Sequence, residues 1–438
     1  MLEMLGVVQM MSLAMAKMQM KVMLKLNKAM AYAYGLHLGA LDGYERLIAG
    51  IYGTPDRVPV IAQPYTYAMG MHGLPARTFF SEPGPFIHAS SNFARYFGVD
   101  FWSPVFDFYN IELEALGQKL IWRDHSEPDV DTSDPLIKGE EDLRRLRPPR
   151  PGLDGRMPFV LESYRRYVEL MGVPPMAYAC SPFTMAVLVR GYVNLIRDMR
   201  RNPSFVHRLM EFLSMEVVVP WIAKMVEAIN PAIVVMSDAW ASQPNVTTDM
   251  VREFCLPYIE KIVRATNSPL RTVLDTGSWG ERAVADPREV LDIKMEMMTR
   301  GNSLRPLRPL FLLVWNEDYE VIGIPTARRY ADEKKVCLML NVRPDLIEEG
   351  PPEAIAEKVR GLIKEGAGRG RFVLLLNLVP IGTPVEHVHA AVAAARQFGD
   401  YPIAPDLESR TFRMPEFEPF AEWVRKHGAQ GSYLHSSM

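Results

Sequence analysis

Cysteine is scarce in this chain of 438 residues: there are three. Cys180, Cys255 and Cys337 lie far apart and form no Cys-x-x-Cys pair. That spacing fits a reducing, cytoplasmic setting and gives no thiolate metal cluster. No stretch of about 18 apolar residues occurs, so no membrane span is expected. A charge excess is also missing. The formal net charge is -3, which gives no global reason to expect nucleic acid as a partner. Histidines number only nine. His387 and His389 lie two apart on an expected helix, point about 200° apart and cannot share one metal. At least one of them should face solvent. His72 and His88, near the first strand, are weaker candidates for substrate contact.

What is present is an ordinary soluble composition, 48% hydrophobic and 23% charged. The length suits one large α/β barrel or two to three smaller domains. Nine of the 27 methionines fall between Met1 and Met30, with Lys17, Lys21, Lys25 and Lys28 at helical spacing. This predicts an amphipathic helix over about residues 8–34. It would pack on the parent domain or across a dimer. A Met-rich face of this kind could also dock a partner protein or lie on a membrane surface.

Further on, short apolar runs alternate with helical periods. Strands are expected at Val58–Ile61, Val99–Trp102, Pro175–Tyr178, Ala232–Met236, Leu270–Leu274, Leu310–Trp315, Val336–Leu340 and Phe372–Leu376. Helices are expected at Asp42–Gly53, Val187–Phe212 (broken at Asn202-Pro203), Met250–Thr266, Pro287–Thr299, Pro351–Glu365 and Pro384–Phe398. Such alternation argues for parallel strands covered by helices. The stretch Glu127–Pro158, rich in Pro, Asp and Arg, reads as a solvated excursion between barrel units.

The last strand runs into Asn377-Leu378-Val379-Pro380-Ile381-Gly382-Thr383-Pro384. In an α/β barrel such a strand end is where chemistry is done. Four other segments precede it in order. They are Glu45–Val60; Phe106-Asp107 with Glu114-Ala115-Leu116-Gly117; Cys180-Ser181-Pro182-Phe183-Thr184 with Gly191; and Ser237-Asp238-Ala239-Trp240-Ala241 with Phe254-x-x-Pro257-Tyr258. The fifth segment joins Leu340-Asn341-Val342-Arg343-Pro344 to that terminal stretch. Together they resemble the uroporphyrinogen decarboxylase superfamily, which also contains corrinoid-linked methyltransferases. The resemblance covers Asp42 to Phe398. It implies a (β/α)8 TIM barrel over residues 42–400, with a Met-rich helical extension at 1–41 and a tail at 401–438 packed on the barrel.

Fold does not settle function. A site for a porphyrinogen with eight carboxylates needs guanidinium groups, which that family supplies after its first strand. Here that place reads Gln63-Pro64-Tyr65-Thr66-Tyr67. The family's late His falls at Asn377. In the zinc-dependent methyltransferases, a His-x-Cys pair falls at Asp275-Thr276-Gly277 and a late Cys at Asn377. No thiolate ligand remains, so a soft zinc site is not expected. An all-oxygen or mixed site from Asp275, Asp238 and Asn377 stays open.

The expected strand ends collect Gln63, Tyr65, Tyr67, Trp102, Phe106, Tyr178, Asp238, Trp240 and Trp279 as substrate contacts. That mouth is aromatic and sparsely charged, suited to a small methoxyaromatic or methylated amine. The resemblance then implies a methyltransferase whose corrinoid (cobalamin) is carried by a partner protein. The chain has no Asp-x-His-x-x-Gly stretch of its own. Asp275 or Asp107 would protonate the leaving atom and Asn377 would orient it. Alternatives are a lyase on a smaller carboxylate, needing Arg190 or Arg343 to point inward, and a non-catalytic barrel that binds a ligand or partner.

Overall fold

The structure is a computed structural model that describes residues 22–29, 31, 41–267, 271–276, 286–301 and 311–427. Trp279 and most of the Met-rich stretch lie outside these. Eight parallel strands form the frame: β1 (Val60–Ala62), β2 (Phe101–Trp102), β5 (Ala177–Cys180), β6 (Ile233–Ser237), β7 (Thr272–Asp275), β8 (Phe311–Val314), β9 (Cys337–Val342) and β10 (Phe372–Leu376). Two short strands, β3 (Leu120–Ile121) and β4 (Asp129–Val130), pair antiparallel outside the frame. The parallel strands order as β2-β1-β10-β9-β8 and β5-β6-β7. Pairing β1 with β10 joins the two ends of the chain's strand series, the closure expected of the (β/α)8 barrel.

Neither β2 with β5 nor β7 with β8 is hydrogen-bonded strand to strand among the described residues. At the first gap, side chains take the free edge of β5. Ser103 Oγ donates to the Met176 carbonyl at 2.8 Å. The Tyr178 amide donates to the Tyr164 hydroxyl at 2.9 Å, and the Cys180 amide donates to Glu112 Oε1 at 2.9 Å. Buried backbone donors must find partners, and here a tyrosine and a carboxyl stand in for a strand.

Several expected elements appear with shifted ends, such as Gly43–Tyr52, which Asp42 and Glu45 close with a reciprocal capping box. The helix expected over Met250–Thr266 is two helices, Thr248–Phe254 and Leu256–Thr266. The break falls just before Pro257, which has no N–H to continue the first helix.

Residues 22–29 are helical. Leu26 and Ala29 pack with Leu41, Ile48 and Ala49. Lys25 pairs with Asp42, and Lys28 with Glu45 at 2.9 Å. This turn therefore packs on the barrel's own first helix. At the other end, the Tyr96 hydroxyl donates to the Glu418 carbonyl at 2.6 Å. Phe420 and Trp423, on the helix Phe420–His427, meet Tyr96 edge-on.

Candidate functional site at the strand ends

Strand alternation decides which side chains enter the barrel. Ile61, Phe101, Met176, Ile233, Thr272, Phe311 and Met339 line one interior cavity at the N-terminal ends of the strands. The pairings Ile61↔Leu375, Ile61↔Phe101 and Leu375↔Asn341 tie the strands into one register. Counting in steps of two, the interior positions at the C-terminal ends are Gln63, Ser103, Cys180, Ser237, Thr276, Trp315, Asn341 and Asn377. None of these eight is charged, and none is histidine.

Hydroxyls and amides knit this ring. The Tyr178 hydroxyl is bonded to Gln63 and Ser103, and burial pushes it up to about 12. The Tyr109 hydroxyl lies 2.8 Å from Ser237 Oγ. Asn341 Nδ2 is 2.7 Å from the amide of Asn316. Asn377 makes no side-chain hydrogen bond among the described residues and is 7% exposed, so its amide is available to a ligand. Tyr65 holds φ +43 directly after Pro64, and its hydroxyl donates to the Phe106 carbonyl at 3.2 Å. A positive φ at a bulky residue is strained backbone, here beside the ring.

The same alternation places Asp238 and Asp275 on the outer face, toward the helices. Ser181 donates to Asp275, and Thr184 Oγ1 donates to Asp238 Oδ1 at 2.6 Å. Asp275 is fully buried. Burial first, and the charge of Asp275 second, push the Asp238 carboxyl well above its ordinary value. The expectation that Asp275 and Asp238 reach directly into the mouth is thus corrected: they form a buried pair behind β6 and β7. A mixed site joining them to Asn377 is not assembled, because Asn377 faces the other side. Among the described residues, no group of three or more His, Cys, Asp or Glu side chains is placed to hold a metal.

Asp107 is engaged elsewhere. Arg156 grips both its oxygens at 2.8 and 2.6 Å, and also reaches Glu114 at 2.7 Å and the Phe80 carbonyl at 3.0 Å. Burial pushes Asp107 up, against the pull of Arg156 and Asn110. A carboxylate held on both oxygens is not a free proton donor, which corrects its expected role. Arg156 closes the excursion read as solvated, yet it is buried. This single guanidinium is fully occupied within the protein.

The aromatic expectations divide. Tyr178 and Tyr65 border the ring. Trp102 packs edge-on against Tyr167 on the helix Met157–Met171, and Phe106 meets Tyr164 on the same helix. Tyr67 packs against Phe93 and Phe97. Trp240 lies at 5.2 Å from Tyr192 on an outer helix. These four pack against neighbouring helices, and strand parity turns Trp102 away from the interior. The histidines are corrected as well. His387 and His389 are both buried: His387 Nδ1 lies 2.8 Å from the Ile347 carbonyl, and His389 stacks on Phe417 of the tail. His72 and His88 share the amide of Asn92, and His72 meets the ring of Phe420 edge-on.

Glu112 was not anticipated. It is fully buried, its Oε2 has no partner among the described residues, and burial pushes its carboxyl up to about 8. The signal available was its place two residues before Glu114, on a helix whose other face is apolar.

Eight parallel strands with covering helices and a polar ring at the strand ends define an α/β barrel with an enzyme-type mouth. The family profile described as uroporphyrinogen decarboxylase (URO-D) matches residues 44–398, and the chain belongs to this family. Over 307 residues it is 28% identical to a methylated-thiol–coenzyme M methyltransferase of Methanosarcina mazei, covering 68% of this chain and 73% of that protein. It is 27% identical over 241 residues to a uroporphyrinogen decarboxylase of Chlorobaculum tepidum, covering 53% of this chain and 60% of that one. Among solved structures, a methyltransferase from Methanosarcina mazei superposes with a TM-score of 0.58 at 17% identity, over 82% of this chain and 99% of the other. At that identity the likeness speaks to the fold alone. No described helix is long and apolar enough to cross a membrane.

Proposed function

We propose that the protein is a methyltransferase of this family that binds a small methoxyaromatic or methylated amine within the ring. The methyl group would pass to a corrinoid carried by a separate protein. One observation carries this reading: the eight interior strand-end positions are uncharged, while the acids nearby face away or are held by Arg156. A polycarboxylate would lose its hydration there without gaining cations. A neutral or singly charged donor would not.

In this reading Asn377 and Gln63 orient the donor atom that loses the methyl. Tyr178 and Phe108, stacked at 5.6 Å, supply an apolar wall. The Asp238–Asp275 pair, whose Asp238 carboxyl burial holds well above its ordinary value, would be the proton source for the leaving oxygen or nitrogen. A reduced cobalt would supply the nucleophile toward the methyl carbon.

The lyase reading needs a cation facing the substrate. Arg190 instead bonds Asp198 at 2.8 Å and the Lys138 carbonyl at 3.0 Å. Arg343 pairs with Asp345 and Glu320. The deciding experiment offers the protein methoxybenzenes, methylamines and uroporphyrinogen separately, with free reduced cobalamin as acceptor. Methylcobalamin formation from one of the first two supports the proposal. Carbon dioxide released from uroporphyrinogen, without methyl transfer, would refute it.

A further inference from the structure

We propose that the opposite end of the barrel holds a second binding site, for a small uncharged apolar molecule. The N-terminal ends of the strands surround a cavity of about 200 Å³. Barrel interiors of this type are ordinarily filled by side-chain layers, so space here is a departure. Its floor is the bottom layer of the barrel, including Ile233, Thr272, Phe311 and Met339. Its roof is the helix at residues 22–29, through Val22 and Leu26, together with Tyr44 of the helix Gly43–Tyr52.

Three features point to a ligand and to its class. No charged residue lines the cavity among the described residues, and its few polar groups are hydroxyls such as those of Tyr44 and Thr272. Burial raises the Tyr44 hydroxyl to about 12, so it stays neutral and can only share a hydrogen bond. With no charged lining residue to pair with it, a carboxylate or ammonium inside would lose its hydration uncompensated. The size is comparable with the roughly 150 Å³ apolar cavity that takes up benzene elsewhere, so an occupant of about ten non-hydrogen atoms fits. Finally, the roof helix is fastened by the ion pairs Lys25–Asp42 and Lys28–Glu45 near its edge. The Lys25–Asp42 pair is partly exposed, and such pairs are weak, which gives the ligand a way in beside the exposed Ala232.

Naphthalene tests this on the full chain, by its fluorescence and by the rise in Tm that a native-state ligand brings. Saturable binding at one site is expected. Thr272→Phe fills the cavity from within and should weaken binding at least tenfold. Ala232→Trp, at an exposed rim position, should do the same without touching the core, and covers the case in which the first variant fails to fold. Asn377→Ala, at the far end of the barrel, should leave naphthalene binding unchanged. Absence of saturable binding, equal binding of naphthoate, or indifference to Ala232→Trp in a folded protein would overturn the proposal. Because the probe carries no transferable methyl group, failure here is separate from failure of the methyltransferase reading.

Discussion

Glu112 takes the amide hydrogen of Cys180 at 2.9 Å, on the side of the barrel where β2 and β5 leave each other unpaired. The carboxyl does the work of a neighbouring strand and is fully buried in doing so. Its raised value, about 8 against an ordinary 4.5, makes the pairing a pH-dependent one. Between those two values the folded chain keeps a proton that the unfolded chain has released. Stability contributed by this group is therefore full below pH 4.5 and is lost as pH rises toward 8.

Glu112→Gln keeps an acceptor for Cys180 and removes the ionisation. The gap in unfolding free energy between variant and wild type should widen in favour of Gln by roughly 2–4 kcal/mol from pH 5 to pH 9. Urea titrations at both pH values measure it. Parallel pH dependence in the two proteins would show that Glu112 is not the titrating group.

The Arg156–Asp107 pair yields a second expectation. Removing one partner of a buried ion pair leaves the other uncompensated, at a cost of about 3–5 kcal/mol. Arg156→Met should lower Tm sharply, and Arg156→Met with Asp107→Asn should recover most of the loss. A double variant as unstable as the sum of its single changes would mean that the two side chains are not coupled.

The barrel was readable from alternation because parallel strands buried on both faces show as apolar runs, as at Phe372–Leu376, between helical periods such as Pro287–Thr299. The site was readable only in part. Asn377 and Gln63 were placed at strand ends and do face inward. Asp238 and Asp275 were placed at strand ends too, but a shift of one residue reverses the face, and only pairing partners such as Met236↔Asp275 resolve it. Arg156 escaped notice because a Pro- and Arg-rich stretch looks solvated until its contact with Asp107 is seen. Glu112 escaped because nothing local announces that β5 lacks a neighbour.

The outer acid pair makes a third case. Asp238 is held well above its ordinary value by burial and by Asp275, so it opposes folding increasingly as pH rises above the ordinary carboxylate range. Asp238→Asn retains the acceptor for Thr184 and deletes the like charge. The variant should melt higher than wild type at pH 8, with a smaller gap at pH 5, as followed by calorimetry. If the pair also supplies the proton, methyl transfer by the same variant should slow by about tenfold or more, in line with loss of a general acid. A variant both less stable at pH 8 and fully active would remove both roles.

Asn377 gives the sharpest test of the mouth. Its amide is free of intramolecular side-chain bonds among the described residues, so Asn377→Ala should leave Tm nearly unchanged. If the amide orients the methyl donor, kcat/KM for methyl transfer should fall roughly 10- to 100-fold, the range for losing one well-placed hydrogen bond in a water-poor site. Asn377→Arg probes the same position from the other side. A guanidinium in an otherwise uncharged ring should weaken a methylated cation by at least about tenfold, through like-charge repulsion at low effective dielectric, while admitting benzoate-like anions. Steady-state kinetics with a methylamine and a methoxybenzene, alongside benzoate inhibition, separates these effects. Unchanged kinetics in both variants would show that the donor does not bind at the end of β10.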